Sequence, residues 1–153
     1  MNEENKDNWI DLEELGIELG TVKLEKKEFF RIMEEDFPEG TALTIANIGK
    51  EYNSRYEGKA FFMDYTFEHE GLTKEIGISY SLGNEIRPDV YRIGKKTNLY
   101  RFLKSLTGLP ETETIKVDMN KIRKLEGLTF IGKAKLINGS SQDYYIIDPV
   151  KRI

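Results

Sequence analysis

The chain has no cysteine in its 153 residues, so neither a disulfide nor a thiolate metal site can form. It has one histidine, His69, in the predicted turn EHEG at 68–71. Cys–His nucleophile pairs are therefore excluded, and a Ser–His–Asp set would depend on that single turn residue. A metal at the same place would find Glu68 and Glu70 but no second imidazole. The glycines are scattered, with no phosphate-loop or dinucleotide fingerprint. No stretch approaches the ~20 apolar residues that span a bilayer. The start MNEENKDNWIDLEE has no apolar run behind a basic opening, which argues against a signal peptide. Repeats and low-complexity tracts are missing too. The expectation from these absences is a soluble cytoplasmic protein that is not an enzyme, takes no cofactor or metal and does not enter a membrane.

What is present is a charge split. Residues 1–39 carry 13 acids and five bases, whereas residues 40–153 carry 14 acids and 18 bases. An acidic arm thus precedes a mildly basic body, a pattern that fits nucleic-acid contact or an acidic solubilising tail on an ordinary domain. The length suits one domain. Pro38-Glu39-Gly40 is the expected boundary between an arm at 1–39 and a domain at 40–153. The first eight residues read as disordered. WIDLEELGIELG (9–20) and LEKKEFFRIMEEDF (24–37) set large apolar residues among charges, as short helices or as an extended arm.

Beyond Gly40 the pattern turns strand-like. TALTIANIG (41–49) is β-branched; KAFFMDYTF (59–67) and TKEIGISYSL (73–82) alternate and predict a hairpin around EHEG. A loop bearing Pro88 and Gly94 should follow. Thr97 then offers an N-cap to a helix with Leu99, Phe102, Leu103 and Leu106 inside, stopped by Gly108 and Pro110. Asp118 can cap a further helical turn at 118–124. LTFIGKAKLI (128–137) and DYYIID (143–148) read as the last strands, and Gly132 suits a strand that must bend. The predicted fold is β-rich α+β: a five-stranded OB-like barrel with a helix between strands three and four, behind the acidic arm.

With its AFFMDYTFEHEG hairpin, basic NLYRFLKSLTG helix and closing LEGLTFIGKAKLINGSSQDYYIID strands, the body resembles the OB-fold single-stranded DNA-binding proteins of phage or microbial replication and repair systems. The resemblance spans about residues 41–148 and lies in element order and character. It implies a groove across strands two and three, flanked by the loops joining strands one and two and strands four and five. In such proteins a flexible acidic tail is often C-terminal; here the acid is N-terminal.

A single-strand binder needs cations for phosphates and flat faces for unstacked bases. The candidate cations are Lys50, Arg55 and Lys59 near the first loop, then Arg87, Arg92, Lys95, Lys96, Arg101 and Lys104. The candidate stacking rings are Tyr52, Tyr56, Phe62 and Tyr91, with Tyr100 set aside as a packing residue. Phe62 is the sharpest, because it stands among Asp64, Thr66, Ser79 and Ser81 on the polar face; a ring covered by the arm is its bland reading. The expected ligand is single-stranded DNA without strong sequence preference, with RNA also open. The rival expectation is a non-enzymatic adaptor whose acidic residues 9–37 dock on a protein partner.

Overall fold

The computed structural model describes residues 10–55 and 58–153. The expected disorder of residues 1–8, together with Trp9 and the candidate Tyr56, lies outside the described residues. The elements are β1 (Val22–Lys23), α1 (Lys26–Asp36), β2 (Thr41–Ile48), β3 (Tyr52–Asn53), β4 (Lys59–His69), β5 (Leu72–Ser81), β6 (Asn84–Arg87) and β7 (Val90–Gly94). They continue with α2 (Asn98–Thr107), β8 (Thr114–Asp118), α3 (Met119–Ile122), β9 (Thr129–Ile137) and β10 (Tyr144–Arg152). None of the described helices is long and apolar enough to cross a membrane.

The alternating segments become the long antiparallel pair β4–β5, in register from Ala60↔Ser81 to His69↔Leu72. Between them Glu70 (φ 55°) and Gly71 (φ 75°) both take left-handed backbone, as a two-residue hairpin turn requires. The main sheet runs β1-β5-β4-β2-β9-β10, with β3 added on β4. The five predicted strands are β2, β4, β5, β9 and β10, so their spatial order is third, second, first, fourth, fifth.

The protein is β-rich α+β, but the sheet is not a closed barrel. Among the described residues no ladder joins β5 to β10. The physical reason is at the edge of β5: β1 pairs there in parallel, and Leu24 N–H bonds to the Glu75 carbonyl at 2.8 Å. Helix α2 packs along β10 and reaches β5. It begins as predicted, with Thr97 Oγ1 accepting from Tyr100 N–H at 3.3 Å, and ends at Gly108 with φ 70°. Asp118 caps α3 through Asn120 N–H at 3.0 Å.

Two strands of a second sheet, β6-β7-β8, occupy the region expected to be a loop around Pro88 and Gly94. Its first strand is exposed at all four positions and carries no alternation to read. Its third strand pairs with β7 only after the whole of α2 has intervened.

Phe61, Tyr65, Ile76, Ile78, Phe102 and Phe130 share one core, as the alternation predicts. Gly132 allows a close approach there: a Cβ would lie 2.7 Å from Leu43 Cδ1 and 2.9 Å from Phe130 Cε2. The core also runs across the expected boundary at 39/40. Helix α1 buries Phe29, Phe30, Ile32 and Met33 in the same cluster, with Phe29 edge-on to Phe67 at 5.5 Å. Residues 26–36 are thus part of the domain, which withdraws those four side chains from any partner surface.

Candidate functional site

Inner and outer residues alternate along β4, so Phe61, Met63, Tyr65 and Phe67 fill the core while Phe62, Asp64, Thr66 and Glu68 face outward. Phe62 is 45% exposed. Its neighbour Tyr52 comes from the two-residue strand β3, which pairs with the start of β4 through Tyr52↔Ala60. The two rings stack with centroids 5.5 Å apart and planes 17° apart. Tyr52 Oη and Ser79 Oγ, on β5, are 2.7 Å apart and hydrogen-bonded, which fixes the tyrosine across the sheet face. Among the described residues Tyr52 and Phe62 are the exposed aromatic side chains.

The turn that presents Tyr52 is pinned from behind. Arg123 forms an ion pair with Glu51 and donates a hydrogen bond to the Gly49 carbonyl at 3.4 Å. Burial would raise the Glu51 carboxyl, but the hydrogen bond and charge of Arg123 outweigh it and hold the group below the usual carboxylate range. Glu126 accepts the Ile48 N–H at 2.7 Å beside it. Neither clamp follows from sequence spacing, because each joins positions more than 70 residues apart.

The candidate cations divide into groups. Lys50 and Arg55 are exposed near Tyr52, and Lys59 opens β4, 4.0 Å from Glu85. A cleft of about 440 Å³ separates Asn53, Ser54 and Lys59 from Asn84, Glu85 and Tyr91. Arg87 and Arg92 are exposed on β6 and β7, and Arg92 pairs with Asn84 in the ladder. Lys96 is exposed before α2.

Lys95, Lys104 and Arg101 are engaged at closer range. Lys95 Nζ lies 3.1 Å from Glu113 and 3.9 Å from Glu111. Lys104 Nζ lies 3.0 Å from Glu111. The contact with Lys104, assisted by Lys95, holds the Glu111 carboxyl below its usual range. Glu113 in turn raises the Lys95 ammonium. Arg101 donates to Asn98 Oδ1 at 3.0 Å and Tyr144 Oη at 3.1 Å. Within the cation-rich stretch from 91 to 104, Lys95 and Lys104 are thus paired with acids that follow it, while Arg92 and Lys96 stay exposed.

Tyr91 requires correction. It is 1% exposed and belongs to the core, so it presents no face to a base. Its outward-looking place in a polar segment misled because the second sheet packs that side of β7 inward. Tyr100 is buried as a packing residue, donating to the Thr112 carbonyl at 2.9 Å and accepting from Thr112 N–H at 2.7 Å. His69 is tied up as well: Nδ1 accepts from Lys74 Nζ at 2.8 Å, leaving Nε2–H to donate to Asp36 at 2.7 Å.

No protein-family model, no curated protein and no solved structure matches the chain.

Proposed function

We propose that the chain binds single-stranded DNA, with RNA as the alternative strand, on the outer face of β3, β4 and β5. In this proposal the sheet is an OB-like barrel left open between its third and fifth predicted strands, β5 and β10. One observation carries the proposal: the exposed Tyr52–Phe62 stack stands on an otherwise polar sheet face. Unstacked bases need such a platform, and any base has a face to lay on it, so sequence preference is weak over most of the track. Lys50, Arg55 and Lys59 supply phosphate contacts beside the rings, and Arg87, Arg92 and Lys96 extend them. The protein acts by binding, without chemistry on its ligand.

A second reading rests on the arm. Ile10, Leu12, Leu15, Ile17 and Leu19 are all exposed and interleaved with Asp11, Glu13, Glu14 and Glu18. An apolar, acidic segment of this kind fits an adaptor that docks on a basic-rimmed partner groove. Residues 10–19 would carry that role, and α1 would not.

Fluorescence anisotropy with a labelled thymine oligonucleotide separates the readings. Phe62→Ala should weaken binding by about 1–3 kcal/mol, the contribution of one stacked base. Lys104→Ala, already paired with Glu111, should change it little. Parent-like binding by the Phe62 variant would remove the ring platform from the account, and no binding by the parent at low salt would favour the adaptor.

A further inference from the structure

The sheet face that carries the rings also carries an acid. Asp64 is two residues beyond Phe62 on the same face of β4, half-buried, and among the described residues no cation lies within ion-pair distance of it. On a surface that attracts phosphates an unpaired carboxylate opposes binding, so its presence asks for another role.

Two neighbours shape its surroundings. Asn47 donates from Nδ2 to Asp64 Oδ2 at 3.3 Å. A β-bulge between Ile45 and Asn47 shifts the β2 register and brings Asn47 opposite Asp64. Across the other ladder Asp64 faces Gly77, where a Cβ would lie 2.9 Å from Asp64 Oδ1 and 3.6 Å from Phe62 Cδ1. The carboxylate therefore lies over the glycine, and any side chain at 77 would displace it. Tyr52 covers Phe62 from the side of Ala60, whereas Asp64 and Gly77 lie on the other side.

We propose that Asp64, steadied by Asn47 and given room by Gly77, reads guanine at one position of the bound strand. The inference rests on the single-strand reading of this face. A base laid against Phe62 on the side away from Tyr52 turns its edge to the carboxylate that lies over Gly77. An ionised carboxylate only accepts hydrogen bonds. The Watson–Crick edge of guanine offers two adjacent donors, N1–H and the N2 amine, which match the two carboxylate oxygens. Adenine and cytosine offer one exocyclic donor beside an acceptor nitrogen. Thymine and uracil offer one imino donor between two carbonyl oxygens, which repel a carboxylate. The site therefore favours guanine while the rest of the track stays tolerant.

The test uses the full chain and short thymine oligonucleotides carrying at one central position thymine, adenine, cytosine, guanine or hypoxanthine, which keeps N1–H but lacks the N2 amine. Guanine should bind about tenfold or more tighter than thymine, in line with one good bidentate contact, and hypoxanthine should lose most of that gain. Asp64→Asn should erase the guanine preference while thymine binding holds or improves, since an opposing charge is gone. Gly77→Ala, a milder change, should reduce the preference in the same direction. Thermal melts of each variant establish that it is folded. Equal affinity for all five oligonucleotides, or a guanine preference that survives in Asp64→Asn, overturns the assignment and leaves the platform standing. Failure of every oligonucleotide to bind overturns both.

Discussion

At the residue scale the core contains two buried phenols in series. Tyr80 Oη donates to Tyr65 Oη at 2.6 Å, and Tyr65 donates onward to Met63 Sδ at 3.0 Å. Burial pushes both phenols well above the ordinary value of 10.0. In the unfolded chain they ionise near that ordinary value. The stability they contribute is therefore complete below about pH 10 and is lost as pH rises beyond it, by up to ~1.4 kcal/mol per pH unit for each group. Urea midpoints between pH 8 and 11 should fall more steeply for the parent than for Tyr80→Phe, which has one such group fewer. Equal slopes would mean that the phenols are hydrated in the native state. The same scale shows what sequence alone can tell. Phe62 was legible because strict alternation put a ring on a polar face. Tyr91 was not, since its burial depends on pairing with Val117, on the far side of α2. Asn47 escaped notice because a bulge, not spacing, aims it at Asp64.

At the element scale the decisive piece is α1. Its four buried side chains each contribute roughly 1.5–3 kcal/mol of apolar burial. Together they rival the whole stability of a small domain, ~5–15 kcal/mol. A chain starting at Gly40 should therefore lose its cooperative melt, whereas one starting at Thr21 keeps α1 and β1 and should melt close to the parent. Circular dichroism on both truncations checks this; a sharp melt for the shorter chain would show that α1 is dispensable. The β4–β5 hairpin and α2 could be read directly because alternation, the Thr97 cap and the Gly108 stop are local signals. The second sheet could not, since its strands are short and its partners distant. The pairing of Lys95 and Lys104 was equally hidden, because they meet Glu113 and Glu111 only once the intervening chain has folded back.

At the scale of the molecule, the acidic half of the charge split remains at the N-terminus while the usable positive charge is narrower than composition suggests. With Lys95, Lys104 and Arg101 engaged, the cations left for the proposed phosphate contacts are Lys50, Arg55, Arg87, Arg92 and Lys96, with Lys59 shared with Glu85 at 4.0 Å. The central claim is that rings and these cations together grip a single strand. Its most direct test is a titration of the full chain with a labelled single-stranded oligonucleotide from low to moderate salt, repeated with the matching duplex as competitor. If about four or five phosphates are neutralised, log affinity should fall against log salt with a slope of about −3, using ~0.7 per contact for single strands. The duplex should compete poorly, because its bases are already stacked and cannot reach Tyr52 and Phe62. Equal affinity for duplex, or tight single-strand binding that ignores salt, would contradict the account.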